Sequence, residues 1–66
     1  MRFIGSIPDP QLAERFSDYL VALGIANQVE QGTSGFAVWV HDDDHIERSK
    51  SELSSFLTDP NRGQYS

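Results

Sequence analysis

The sequence predicts an α+β domain whose elements follow the order β-α-β-β-α. The clearest strand is residues 36–40 (FAVWV), a run of β-branched and aromatic residues with glycine or polar residues on both sides. Two further segments, one after Pro10 and one after Asp44, repeat apolar residues at helical spacing. A weaker alternating segment, residues 25–31, is joined to the clear strand by a short glycine-containing loop that is typical of a β-hairpin.

A short strand and an amphipathic helix are predicted at the start of the chain. Residues 2–4 (RFI) form the strand, which ends before Gly5. Asp9 suits the N-cap of the helix, and Pro10 suits its first position, where a missing N–H has no cost. Gly24 stands where a helix-ending glycine belongs. The apolar positions of this helix are Leu12, Phe16, Tyr19, Leu20 and Leu23.

The two strands of the predicted hairpin differ in polarity. Residues 25–31 alternate apolar and polar side chains weakly, which favours an edge strand. The strand at 36–40 carries apolar groups on both faces, which favours a place in the middle of a sheet. Because side chains alternate between the two faces of a strand, one face carries Phe36, Val38 and Val40. The other face carries Ala37 and Trp39.

A second helix is predicted to begin near Asp44 and to end at Pro60. With Asp44 as N-cap, Glu47 occupies the N3 position of a capping box. The apolar side of this helix is Ile46, Leu53, Phe56 and Leu57, with Ser49 or Lys50 filling the gap. Residues 60–66 show no periodicity and predict a tail or linker, so the folded domain is predicted to span residues 1–59.

The element order limits the topology of the sheet. A right-handed crossover through the first helix makes the first two strands parallel and leaves room for one strand between them. The third strand enters this gap antiparallel to both neighbours, which gives the strand order 1-3-2. Both helices then lie on one face of a three-stranded sheet. This arrangement is a ferredoxin-like fold that lacks its last strand.

The other face of this sheet is open to solvent or to a partner. Phe36, Val38 and Val40 are expected to face the helices, because the inverse assignment would leave three large apolar groups uncovered. Trp39 has two interpretations: an interface anchor on the open face, or a core residue of a small domain. We predict an interaction surface on the open face around Trp39 and Phe3.

Composition narrows the classes of protein. The chain has 66 residues, no cysteine and a formal net charge of −5. It is therefore one small domain without disulfides, which fits a reducing compartment. Its charge argues against binding to nucleic acid or to an anionic membrane surface. No apolar run approaches the roughly 20 residues of a transmembrane helix, and no signal peptide is recognisable. We expect a soluble, cytosolic domain.

Two segments resemble chemical sites. Residues 41–45 (HDDDH) contain metal-ligand side chains but lack the pattern of a calcium loop, so an acidic helix start is favoured over a metal site. Ser34 lies in a predicted hairpin loop, with no base or oxyanion hole beside it. We predict no catalytic residue, no metal ligand and no cofactor. A metal-binding module that uses His41 to His45 remains the alternative.

The chain as a whole resembles the N-terminal cytoplasmic domain of bacterial rhomboid intramembrane serine proteases of the GlpG type. The resemblance covers essentially all 66 residues. The residues that carry it are Pro10, Ala13, Phe16, Asp18, Tyr19, Gly24, Val38, Trp39, Glu52, Leu53, Phe56, Leu57, Pro60, Asn61 and Tyr65.

The resemblance implies a non-catalytic accessory or regulatory domain on the cytoplasmic side of the bacterial inner membrane. The parent would be a serine endopeptidase that cleaves membrane-spanning substrates, with its catalytic dyad on transmembrane helices. No catalytic role therefore passes to Ser34, His41 or His45, and this chain is expected to be a fragment. The transmembrane domain of the same chain is the first partner implied. The membrane surface, a protein partner and a weak homodimer through edge strands are further candidates.

Overall fold

The computed structural model describes residues 1–65, which form a three-stranded sheet and two α-helices. The elements in chain order are β1 (Arg2–Ile7), α1 (Pro10–Ala22), β2 (Asn27–Gln31), β3 (Phe36–Val40) and α2 (Ile46–Thr58). β3 lies between β1 and β2 and is antiparallel to both. The predicted α+β fold with strand order 1-3-2 is confirmed. No helix within the described residues is long and apolar enough to span a membrane.

The core lies between the sheet and the helices. Val38 and Val40 of β3 are fully buried in it, and Phe36 packs against it from the end of the strand. The buried apolar residues come from two of the strands, from both helices and from the segments before β2 and after α2. They are Ile4, Ile7, Ala13, Phe16, Leu20, Ile25, Val38, Val40, Leu53, Phe56 and Tyr65. The predicted inward face of β3 is therefore confirmed.

The buried face of α2 differs from the prediction at one residue. Ser49, Leu53 and Phe56 are its buried residues, at the spacing of one helix face. Of the two residues predicted to fill the gap in the apolar pattern, Ser49 is buried and Lys50 is exposed. Leu57 was predicted on this side, but 47% of its surface is exposed. It follows Phe56 by one position and so points about 100° away around the helix.

β1 is longer than the sequence predicted. It continues through Gly5 to Ile7, with a register shift between Phe3 and Gly5. Gly5 has φ of +153°, and a Cβ atom there would lie 2.6 Å from Cδ2 of Leu53. The glycine therefore allows α2 to approach the strand closely. It does not end the strand, which is why the predicted boundary after residue 4 was wrong.

The predicted ends of α1 are confirmed. The backbone N–H of Leu12 donates to the Asp9 carboxylate at 3.0 Å, and Pro10 is the first helical residue. Leu23 is the C-cap, and Gly24 follows with a left-handed φ of +82°. Both ends depend on residues that are local in sequence, which is why the pattern could predict them.

The start of α2 corrects the predicted cap. A 3₁₀ turn, Asp43–His45, precedes the helix, and His45 is the N-cap without a side-chain hydrogen bond. The capping carboxylate is Asp42, which accepts from the backbone N–H of Asp44 at 2.9 Å. Asp44 itself lies inside the 3₁₀ turn. Its side chain cannot act as the predicted N-cap, because a capping residue needs extended backbone, as Asp42 has.

Residues 60–65 fold back onto the helices. Gly63–Tyr65 forms a short 3₁₀ turn, and Tyr65 is buried. The Arg15 guanidinium donates to the carbonyl oxygen of Pro60 at 2.7 Å, so α1 also holds the start of this segment. The sequence indicated no regular structure here. That residues 60–66 lead to a further domain stays a prediction, and Ser66 lies outside the described residues.

Candidate interaction surface

The open sheet face presents an aromatic pair. Phe3 of β1 lies opposite Trp39 of β3 in the strand register. Their ring centroids are 5.5 Å apart and the rings are inclined at 62°, an edge-to-face contact. Half of the Phe3 surface is exposed, and Trp39 is half-buried. Trp39 thus lies on the face opposite Val38 and Val40, as the strand alternation predicts.

The remainder of this face is polar. Gln28 of β2 lies opposite Trp39, and Glu30 lies opposite Ala37. On the other side of β3, Ser6 of β1 also lies opposite Ala37. The open face therefore has an apolar end at the aromatic pair and a polar, acidic margin along β2.

The indole nitrogen of Trp39 is not available as a surface donor. Nε1 is buried, and it has no hydrogen-bond partner among the described residues. The exposed part of the aromatic pair therefore offers ring surface. Such a surface favours apolar contact with a partner over hydrogen bonding.

The HDDDH segment, residues 41–45, starts α2. The Asp42 carboxylate holds the 3₁₀ turn, and Asp43 lies 4.0 Å from the Arg2 guanidinium with both groups exposed. Within residues 1–65, no three histidine, aspartate or glutamate side chains are placed to hold a metal ion. The metal-binding alternative therefore has no ligand geometry in the described part of the chain.

Ser34 lies in the hairpin between β2 and β3. The backbone N–H of Gly32 donates to the carbonyl oxygen of Gly35 at 2.7 Å, which closes the loop, and Ser34 is exposed. His41 follows the far end of β3. A strand of five residues spans roughly 17 Å, so the serine hydroxyl and this imidazole lie at opposite ends of the sheet.

An aromatic cluster at the helix side was not predicted. The Tyr65 ring stands edge-on to two others, at 4.7 Å from Tyr19 and 4.9 Å from Phe56 between centroids. Phe16 completes the cluster, 5.2 Å from Phe56. Tyr19 and Phe56 show in the helical pattern. Nothing in the local sequence shows that Tyr65 joins them, because the contact is made by a segment without periodicity.

Polar groups surround the same cluster. The Tyr19 hydroxyl donates to Glu52 at 2.9 Å, and the Arg48 guanidinium donates to the other oxygen of that carboxylate at 3.2 Å. Burial raises the pKa of Tyr19 above its usual value of 10.0, and the hydrogen bond to Glu52 and its negative charge raise it further. The Tyr19–Glu52 hydrogen bond joins α1 to α2, and Arg48 holds the same carboxylate from within α2.

A shallow groove of about 270 Å³ lies beside this cluster. Its lining residues are Arg15, Asp18, Tyr19, Ala22, Gln64 and Tyr65. The Arg15 guanidinium is already bonded to Pro60, and Tyr19 is bonded to Glu52. The groove is thus the seam between the C-terminal segment and α1, and Arg15 is the lining residue that bonds across it to Pro60.

Comparison with known proteins places the chain in a family. All of residues 1–66 match the family described as the cytoplasmic N-terminal domain of rhomboid serine protease. The chain is 35% identical over 60 residues to the rhomboid protease GlpG of Serratia proteamaculans, covering 91% of this chain and 22% of that protein. It is 34% identical over 65 residues to a GlpG homolog of Cronobacter sakazakii, covering 98% and 23%.

A third relative agrees with the first two. The rhomboid protease GlpG of Yersinia enterocolitica is 32% identical over 60 residues, which cover 91% of this chain and 22% of that protein. The chain thus spans less than a quarter of the length of the relatives it matches. The family description also confirms the predicted cytoplasmic location. The chain belongs to the family of cytoplasmic N-terminal domains of rhomboid serine proteases.

Proposed function

We propose that this chain is a non-catalytic accessory domain of a rhomboid intramembrane serine protease. The observation that carries the proposal is the match of the whole chain to the cytoplasmic domain of that family. The relatives are named as proteases, and the matched part is less than a quarter of their length. The parent chain would cleave membrane-spanning substrates through groups that lie outside this domain.

The placement of the candidate groups supports a non-catalytic role. A serine nucleophile needs a base within hydrogen-bond reach and an oxyanion hole beside it. Ser34 is exposed in a hairpin loop, and His41 lies beyond the other end of β3. Residues 32–35 (GTSG) form the hairpin turn, which the Gly32 N–H closes by donating to the carbonyl oxygen of Gly35.

The accessory role needs a contact surface, and we place it on the open sheet face at Phe3 and Trp39. Phe3 is one of four exposed large hydrophobic residues among those described, and the only one of them in a strand. Its aromatic partner lies directly across the sheet. The transmembrane part of the parent chain is the proposed first partner, because it is joined to the domain covalently.

Two assays test the proposal. The parent protease and a form without residues 1–65 are compared for cleavage of a transmembrane substrate, and we expect cleavage to persist with an altered rate. The isolated chain is treated with a fluorophosphonate that labels nucleophilic serines, and we expect no labelling. Labelling that disappears in Ser34→Ala would overturn the proposal. Complete loss of cleavage by a correctly inserted protease that lacks the domain would also overturn it.

A further inference from the structure

The open sheet face combines exposed apolar groups with an acidic margin. Met1 and Phe3 are 54% and 50% exposed, and Trp39 extends this apolar surface across β3. Glu30 is exposed on β2 on the same face, where it lies opposite Ala37. The sequence of β2 is NQVEQ, so this strand contributes one acidic residue and no basic residue to the margin. A partner that covers the face therefore meets aromatic rings first and a carboxylate at its edge.

The charge of the domain is largely uncompensated. It has 10 acidic and 5 basic side chains. Four of the five basic side chains are already engaged within the domain. Their partners are Asp43 for Arg2, Pro60 for Arg15, Glu52 for Arg48 and Asp59 for Arg62. The net electrostatic field of the domain is negative. The domain therefore repels anionic lipid and a second copy of the chain, and it attracts a cationic partner.

The acidic residues 42–44 lie at the same end of the sheet as the aromatic pair. Asp43 is 4.0 Å from the guanidinium of Arg2, the residue that precedes Phe3 in β1. Trp39 is the second-last residue of β3, and residues 41–45 follow that strand. Arg2 lies opposite the buried Val40 in the register, so its ion pair with Asp43 lies on the helix side of the sheet, and Glu30 of β2 is the acidic residue on the aromatic face.

We propose that this face binds a cationic amphipathic helix from the cytoplasmic surface of a membrane protein. The apolar side of the helix would cover Phe3 and Trp39, and its lysine or arginine residues would lie near Glu30. Such segments are common beside transmembrane helices, because short cytoplasmic loops are enriched in lysine and arginine. A helix of about 18 residues is about 27 Å long, enough to cross a sheet whose five-residue strands span roughly 17 Å.

This inference rests on the proposed accessory function and names the partner class for its surface. The two fail separately. Deletion of residues 1–65 from the parent protease tests the accessory role independently of which surface makes the contact. Peptide binding to the isolated chain tests the contact surface independently of any effect on proteolysis.

The test uses isotope-labelled chain and a synthetic peptide of about 18 residues with leucine and lysine at amphipathic helical spacing. We expect chemical-shift changes at Phe3, Gln28, Glu30 and Trp39. We also expect binding to weaken about fivefold when sodium chloride is raised from roughly 0.05 M to 0.3 M. A matched peptide with glutamate in place of lysine should produce no shifts at these residues.

Matched variants distinguish binding at this face from nonspecific binding to any exposed apolar residue. Phe3→Ser should weaken binding about tenfold, because it removes an exposed anchor. Leu57→Ser, at a residue 47% exposed on α2, should change binding less than about twofold. Glu30→Lys should weaken binding more than Glu14→Lys, which makes the same change of charge at an exposed residue of α1. Both Phe3 and Glu30 are exposed, so the folded domain is expected to survive these changes.

Four outcomes would overturn the inference. Equal losses in Phe3→Ser and Leu57→Ser would mean that no specific face binds. Equal binding of the glutamate peptide would remove the role of charge. Stronger shifts with vesicles of phosphatidylglycerol than with the peptide would assign the face to lipid. Concentration-dependent shifts along β1 without any peptide would assign it to a second copy of the chain.

Discussion

The ring of Tyr65 stands edge-on to the ring of Tyr19, with 4.7 Å between their centroids. This contact joins the last described residue of the chain to the first helix. The same ring meets Phe56 of α2 at 4.9 Å, so Tyr65 packs against both helices at once. The segment that ends at Tyr65 is therefore held against the helices by core packing.

Truncating Tyr65 should destabilise the domain although it lies in the final residues of the sequence. Tyr65→Ala removes a ring that is only 6% exposed, and we expect a loss of about 2–4 kcal/mol in the free energy of unfolding. Tyr65→Phe should be nearly neutral, because the buried hydroxyl has no hydrogen-bond partner to lose. Urea denaturation followed by Trp39 fluorescence measures both. A cost below about 0.5 kcal/mol for Tyr65→Ala would contradict the packing.

Adding one methyl group at Gly5 should also be costly. The new Cβ would lie 2.6 Å from Cδ2 of Leu53, so either the Leu53 side chain or α2 must move. We expect Gly5→Ala to reduce the free energy of unfolding by about 1–3 kcal/mol. Gly24→Ala is the matched control, because Gly24 also has a positive φ and no atom lies within 4 Å of a Cβ built there. Equal effects at both glycines would show that the close approach of α2 is not what matters.

The sequence predicted those parts of the fold that are written in neighbouring residues. Asp9, Pro10 and Gly24 set the ends of α1 within a few positions of their own place. The alternation of β3 separated Val38 and Trp39 onto opposite faces and favoured Val38 for the core, with Trp39 left as either a surface anchor or a core residue. Once the element order was known, chain connectivity limited the strand order to 1-3-2. That Phe3 and Trp39 face the same side of the sheet follows from the same pattern, and that a partner binds there stays a prediction.

Other features depend on contacts between distant residues. Gly5 looked like the end of a strand, since its role appears only when Leu53 of α2 is placed above it. Leu57 looked like a core residue, since helical spacing alone cannot decide between two neighbouring apolar positions. Tyr65 looked like part of a tail, since its partners Tyr19 and Phe56 lie on two separate helices. No local pattern carries this information.

The corrected start of α2 gives a direct comparison between two neighbouring aspartates. Asp42 accepts the Asp44 backbone N–H, whereas Asp44 makes no capping contact among the described residues. We expect Asp42→Ala to cost about 1 kcal/mol and Asp44→Ala less than half of that. Both variants remove one negative charge near the helix start, so the dipole effect is matched. A larger loss for Asp44→Ala in thermal or urea unfolding would restore the cap that the sequence predicted.

The stability of the domain should fall at high pH through Tyr19. Its pKa is raised by burial first, and then by the hydrogen bond and negative charge of Glu52. Because the folded state holds the proton more tightly than the unfolded state, this contribution is fully present below the unfolded pKa of 10.0. It is lost as pH rises through the folded pKa of Tyr19. Unfolding experiments above neutral pH should therefore show a decline that begins near the unfolded value.

Absorbance of tyrosinate in Tyr65→Phe, where Tyr19 is the only tyrosine, measures this titration directly. In folded protein we expect a midpoint above that of the same chain in concentrated urea. Glu52→Gln should lower the folded midpoint, because the negative charge that disfavours tyrosinate is removed. It should not abolish the difference from urea, since burial of the ring persists. Identical midpoints in folded and unfolded chains would show that Tyr19 is neither buried nor bonded to Glu52 in solution.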